Sequence, residues 1–297
     1  MTKHRLPRAT AVSAATALAL TLTLALTACA PSPTPDTAPD TDPGSALTHI
    51  HGLGLHRDTL YVATHEGIHA PGAGGAPVLV GDRRDDFMGF TIARDGTFLA
   101  SGHPAPGSGG PSDLGLIASA DSGRSWTEKS LGGEVDFHAL DTGPGGIVYG
   151  YDSTNGRLRV TRDQAVWEDR AELRALDIAV SPASADTVLA TTESGVARST
   201  DGGRTFSPGA GRVLAYVSWG APDALYGVGP DGVLFRSGDG GVAWTRVGAV
   251  PGGGPQALTA VDARRLLVAT RDGVYESQDA GRSFVRRMEV TSGEDGH

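Results

Sequence analysis

Nine histidines occur in the 297-residue chain, and seven of them fall between residues 49 and 138. Neutral imidazole is a ligand for zinc and copper, and a neighbouring thioether suits copper. The candidate ligands are His49, His51, His65, His103, His138 and Met88. They point to a bound metal ion, copper or zinc, or to a small polar ligand held by the same groups. A ring of histidines satisfied by each other and by water is the structural alternative. Carboxylates are interleaved with these residues: Asp86, Asp136, Asp152 and Glu193, with Glu66 and Glu134 close by. Paired carboxylates are the machinery of glycoside hydrolysis, so these are the acid–base candidates if the protein is an enzyme. His56 and His69 read as loop residues and stay outside the set.

Residues so far apart in sequence need a repeating scaffold to meet. "IHGL", "FMGF", "FHAL" and "LDIA" place His51, Met88, His138 and Asp177 at one position, the start of a strand. "VATHEG", "ASGHPA", "YGYDS" and "ATTESG" place His65, His103, Asp152 and Glu193 at the end of the next strand. In an antiparallel pair those two positions share an edge. Period-2 alternation also sets His49 beside His51 and Asp136 beside His138, with Tyr151 in reach. The Gly/Pro-rich insertion "GHPAPGSGGPSDLG" falls on this same edge and reads as a flap over it.

The repeat is explicit. "SADSGRSW", "STDGGRTF", "SGDGGVAW" and "SQDAGRSF" fit S-x-D-x-G-x-x-(W/F), with successive serines 80, 38 and 40 residues apart. A decayed copy, "TRDQAVW", divides the longest interval. Each copy follows two alternating strands joined by a Gly- or Asp-rich turn, and sustained helical periodicity is nearly absent after residue 47. Units begin near His49, Asp86, Asp136, Leu176, Ala215 and Ala257. A period near 40 implies an all-β fold: one β-propeller of about six four-stranded blades, five or seven if a terminal unit is miscounted.

These octapeptides resemble Asp-boxes, the BNR repeats of sialidases and other propellers, and the likeness spans residues 119–284. The resemblance makes Asp121, Asp201, Asp239 and Asp279 structural: the carboxylate closes its own turn and the aromatic packs between blades. It implies a glycoside hydrolase only by association. Sialidases grip a substrate carboxylate with three arginines, one in an R-I-P motif; this chain has no R-I-P, and Arg271 is the only arginine at a strand-two end. The chain also resembles exported bacterial lipoproteins labelled glycosylhydrolase by these repeats, and propellers that act as assembly scaffolds.

The N-terminus sets the compartment. A basic segment with Lys3, Arg5 and Arg8 precedes an apolar run and then "LTAC", which resembles a bacterial lipobox. The resemblance implies a signal peptide over 1–28 and a lipid on Cys29, the only cysteine, which anchors the protein to the outer face of the cell membrane. A Pro/Thr/Asp-rich tether follows to residue 46, the propeller occupies 47–290, and 291–297 form a disordered tail. Without the signal the chain keeps 22 basic and 34 acidic residues, a formal charge of −12 that argues against nucleic acid as a partner.

Overall fold

A computed structural model describes residue 47 and residues 49–290. The signal, Cys29, the tether and the tail lie outside the described residues. Six antiparallel sheets follow one another along the chain, each built from consecutive strands. Their innermost strands are Ile50–His56, Asp86–Ile92, Phe137–Thr142, Ile178–Val180, Tyr216–Trp219 and Pro255–Ala260. Each packs beside the next and the last packs beside the first, which closes a six-bladed β-propeller. Five blades have four strands; the fourth has three, with a single bridge between Val196 and Ala210 standing where its outer strand would run.

Among the described residues no strand is exchanged between the first and last blades, and side-chain contacts close the ring. Leu47, Ile50, Leu53 and Leu60 pack with Ala257, Leu267, Val274 and Met288 in one buried cluster across that junction. Thr259 Oγ1 donates 2.8 Å to Leu53 O, and Arg265 pairs with Asp58 at 2.6 Å. Other junctions carry a similar polar staple. Ser101 Oγ accepts from Phe137 N, Asp141 Oδ2 from Val180 N, Asp177 Oδ2 from Val217 N and Ser218 Oγ from Ala260 N.

The four octapeptide turns share one hydrogen-bond pattern. In the first, Ser119 Oγ donates 2.8 Å to Asp121 Oδ1 and accepts 2.8 Å from Gly123 N. The same carboxylate accepts from Ser125 N at 2.9 Å and Ser125 Oγ at 2.6 Å. Asp201 and Asp279 repeat all four bonds, and Asp239, with Ala243 in place of the hydroxyl residue, keeps three. The decayed copy retains the principle, with Asp163 Oδ1 accepting from Ala165 N and Val166 N. Trp126 packs on Phe87 at 5.1 Å and Trp167 on Phe137 at 4.7 Å between ring centroids.

Two histidines read as loop residues lie in strands. His56 ends the first strand and meets the Phe98 ring edge-on, while His69 is 2% exposed in the third strand, 3.4 Å from Thr64 Oγ1. The local reason is Gly67: its φ of +115° lets the chain reverse within two residues, so the strand restarts before His69.

Candidate functional site

The first side chains to place are those on the innermost strands. In blades one, two, three and six the pairing with the second strand slips by one residue near the strand's start. The unpaired residues are His51, Met88, His138 and Gln256. Asp177 and Tyr216 hold the matching position in blades four and five. A β-bulge re-aims its extra side chain, and here the same bulge recurs around the channel. One half of this ring carries His51, Met88 and His138; the other carries Asp177, Tyr216 and Gln256. Tyr216 and Gln256 were not among the sequence candidates, although aligning "YVSW" and "QALT" with "HGLG" would have found them.

The histidine half is drawn together by glycine. Gly52 and Gly89 directly follow the bulge residues His51 and Met88. A Cβ on Gly52 would stand 2.8 Å from Phe90 Cβ, and one on Gly89 only 2.3 Å from Phe137 O. The first three blades therefore approach more closely at their inner strands than side chains would allow.

Three imidazoles converge at the first blade. His65, in the turn after strand two, places Nε2 3.2 Å from His49 Nδ1 and 3.4 Å from His51 Nε2. The three ligand atoms lie within 4.8 Å of one another. His65 Nδ1 sits 2.8 Å from Asp86 Oδ1 in the second blade, a buried oxygen with no hydrogen-bond partner among the described residues; a proton on Nδ1 leaves Nε2 with a lone pair. One lone pair thus faces two further ring nitrogens. Burial, reinforced by the neighbouring His65, pushes the His51 pKa down to about 4, so its ring is a neutral donor at pH 7. Zinc–nitrogen bonds of about 2.0–2.1 Å in a tetrahedron give N···N edges of about 3.3–3.4 Å. The two observed separations match that edge.

His103 and His138 form a second group around Asp136, which is 4% exposed. Asp136 Oδ2 lies 2.6 Å from His138 Nε2 and 3.2 Å from His103 Nε2. His103 Nδ1 in turn lies 3.3 Å from Ser112 O and 3.4 Å from Asp113 Oδ1, which ties the Gly/Pro-rich insertion back to the blade. Asp136 Oδ1 is buried without a hydrogen-bond partner among the described residues. The hydrogen bond to Asp136 raises the His138 pKa against the opposing cost of burial. Nitrogens facing a carboxylate share a proton, whereas the first group sets nitrogen against nitrogen.

Other candidate residues serve the frame. Asp152 is held by Asn155 N and Nδ2 and by Arg159, and Tyr151 Oη donates to Leu173 O. Glu193 is exposed in a hairpin turn. Behind the bulges lies a channel cavity of about 630 Å³, lined by all six inner strands and including His51, His138, Asp141, Asp177 and Tyr216. Burial raises the carboxyl of Asp177 to about 7 and that of Asp141 to about 6. Asp141, three residues after His138 on the same strand, is another channel residue that the sequence did not single out.

No protein-family model matches the chain, and no curated protein matches it. Solved structures do. A putative gluconolactonase aligns over 78% of this chain and 89% of its own, at 12% identity and a TM-score of 0.58. Virginiamycin B lyase from Staphylococcus aureus aligns over 77% and 80%, at 17% identity and a TM-score of 0.52. The GH74 enzyme of Niastella koreensis aligns over 83% of this chain but 46% of its own, at 15% identity and a TM-score of 0.57. At these identities the likeness is one of fold, the β-propeller, on which unrelated sites are built.

Proposed function

We propose that this protein is a lipid-anchored, extracytoplasmic β-propeller that binds one transition-metal ion through His49, His51 and His65. Its octapeptide turns are read as Asp-boxes and its N-terminus as a lipoprotein signal ending at Cys29. One observation carries the metal reading. His65 Nε2, with the Asp86 carboxylate 2.8 Å from the other nitrogen of the ring, faces two other imidazole nitrogens at 3.2 and 3.4 Å. A cation in the middle satisfies all three lone pairs at once; hydrogen bonding leaves two N–H groups competing for one. Three imidazole nitrogens with a carboxylate behind one of them fit zinc with an open fourth position, and copper as the second choice.

A glycosidase reading finds less support. Asp86 is engaged by His65, Asp136 by two histidines and Asp152 by Asn155 and Arg159. The deciding experiment is metal analysis of full-length protein purified without a histidine tag, with thermal shift against added zinc and copper. One equivalent of metal, lost in H51A and H65A variants that still fold, is the expected result. Absence of a stoichiometric metal together with no thermal shift would sink the reading.

A further inference from the structure

The channel face carries a buried carboxylate–histidine pair besides the histidine triad. Asp136 and His138 form it. His138 turns Nε2 to Asp136 Oδ2 at 2.6 Å, while its Nδ1 makes no hydrogen bond among the described residues. His138 and His51 line the same channel cavity of about 630 Å³, from bulges two blades apart with that of Met88 between them. Asp136 is clamped in turn by His103, so the orientation of the His138 ring is fixed from behind. A carboxylate on one imidazole nitrogen and a free lone pair on the other is the arrangement of a general base.

We infer that the face is a hydrolytic centre for uncharged carbonyl esters, with His138 as general base and Asp136 as its positioning residue. This rests on the metal reading above. A metal held by His49, His51 and His65 would supply a bound water; His138 Nδ1 would take its proton, and the hydroxide oxygen would bond to the ester carbonyl carbon as the C=O pair moves onto oxygen. The pair then returns, the bond to the alkoxy oxygen breaks, and the departing alcohol takes the proton from His138. The sum is ester and water to carboxylic acid and alcohol, with no redox partner needed.

The preference for uncharged substrates comes from the ring itself. The six aligned positions, four of them bulges, carry His51, Met88, His138, Asp177, Tyr216 and Gln256, and no lysine or arginine to hold a carboxylate or phosphate. Asp141 and Asp177 face the channel behind them. Arg57 and Arg94 line the cavity too, but beyond the far ends of their strands.

The test uses full-length protein loaded with zinc, its metal content measured, and 4-nitrophenyl acetate as the probe, with 4-nitrophenyl hemisuccinate as the anionic comparator. Zinc-dependent hydrolysis of the acetate is expected, abolished in H51A and reduced by about 100-fold or more in H138Q at unchanged zinc content and melting temperature. D136N should keep zinc and shift the pH–rate limb to lower pH, which a merely structural role for Asp136 would not do. Zinc-loaded wild type no faster than zinc-free protein, or H138Q equal to wild type, overturns the inference and leaves metal binding standing. Equal rates on the anionic ester overturn the preference for uncharged substrates. Failure to bind either zinc or copper overturns both readings together.

Discussion

His65 Nδ1 meets Asp86 Oδ1 at 2.8 Å across the junction of the first two blades, so one contact orients a candidate ligand and joins two sheets. Carboxylates in this position fix the tautomer of a ligating histidine and raise its basicity, and losing one costs about 10–100-fold in metal affinity. D86N should therefore weaken zinc binding by that factor while leaving the stoichiometry at one. Competition titration with a chromogenic chelator measures it. An unchanged affinity would mean that His65 needs no support from blade two.

The two glycines beside the bulges separate the groups they serve. G52A pushes Phe90 away and opens the junction that holds His65 on Asp86; G89A meets the carbonyl of Phe137 and opens the next one. Overpacking of this kind costs about 1–3 kcal/mol, so both variants should melt earlier. Zinc affinity should fall in G52A and hold in G89A. Calorimetry on the two variants reads both quantities, and equal affinities would show that the triad tolerates movement of its blade.

Much of this architecture was legible from the repeat. Units expected near 49, 86, 136, 176, 215 and 257 correspond to inner strands that begin at Ile50, Asp86, Phe137, Ile178, Tyr216 and Pro255. The aligned column of His51, Met88 and His138 lies at the bulges. The bulge itself was not legible, because it falls within the first three residues of each strand, too near the end for the break in alternation to show. Nor could the sequence divide the histidines. That division depends on which side of a blade junction each carboxylate falls: Asp86 reaches back to blade one, while Asp136 stays with His138 and takes His103 from blade two.

His69 gives a stability prediction with a definite sign. Burial lowers its pKa to about 4, well below the 6.5 of a free imidazole. The unfolded chain therefore takes up this proton first, and the contribution of His69 is complete above pH 6.5 and lost as pH falls toward 4. Asp141 and Asp177 work in the opposite direction over an overlapping range, since their raised pKa values favour the folded state as they protonate. The clean measurement is the difference in melting temperature between wild type and H69Q. It should shrink as pH falls from 7 to 4, and a difference independent of pH would show that His69 is protonated equally in both states.

The octapeptide turns predict the complementary behaviour, stability without chemistry. Asp279 is held down to about 2 by hydrogen bonds led by the Ser283 hydroxyl, with Ser283 N and Ser277 Oγ adding to it. Its folded pKa lies below the unfolded value of about 4, so its contribution is present above that pH and is lost on descending toward 2. D279A removes the acceptor that closes the turn, and should lower the melting temperature at pH 7 by an amount that narrows below pH 4. Zinc content should not change. The turn between strands three and four lies at the opposite end of each blade from the start of strand one, where the histidines gather. Loss of metal in D279A, with the fold intact, would contradict that separation of the two edges.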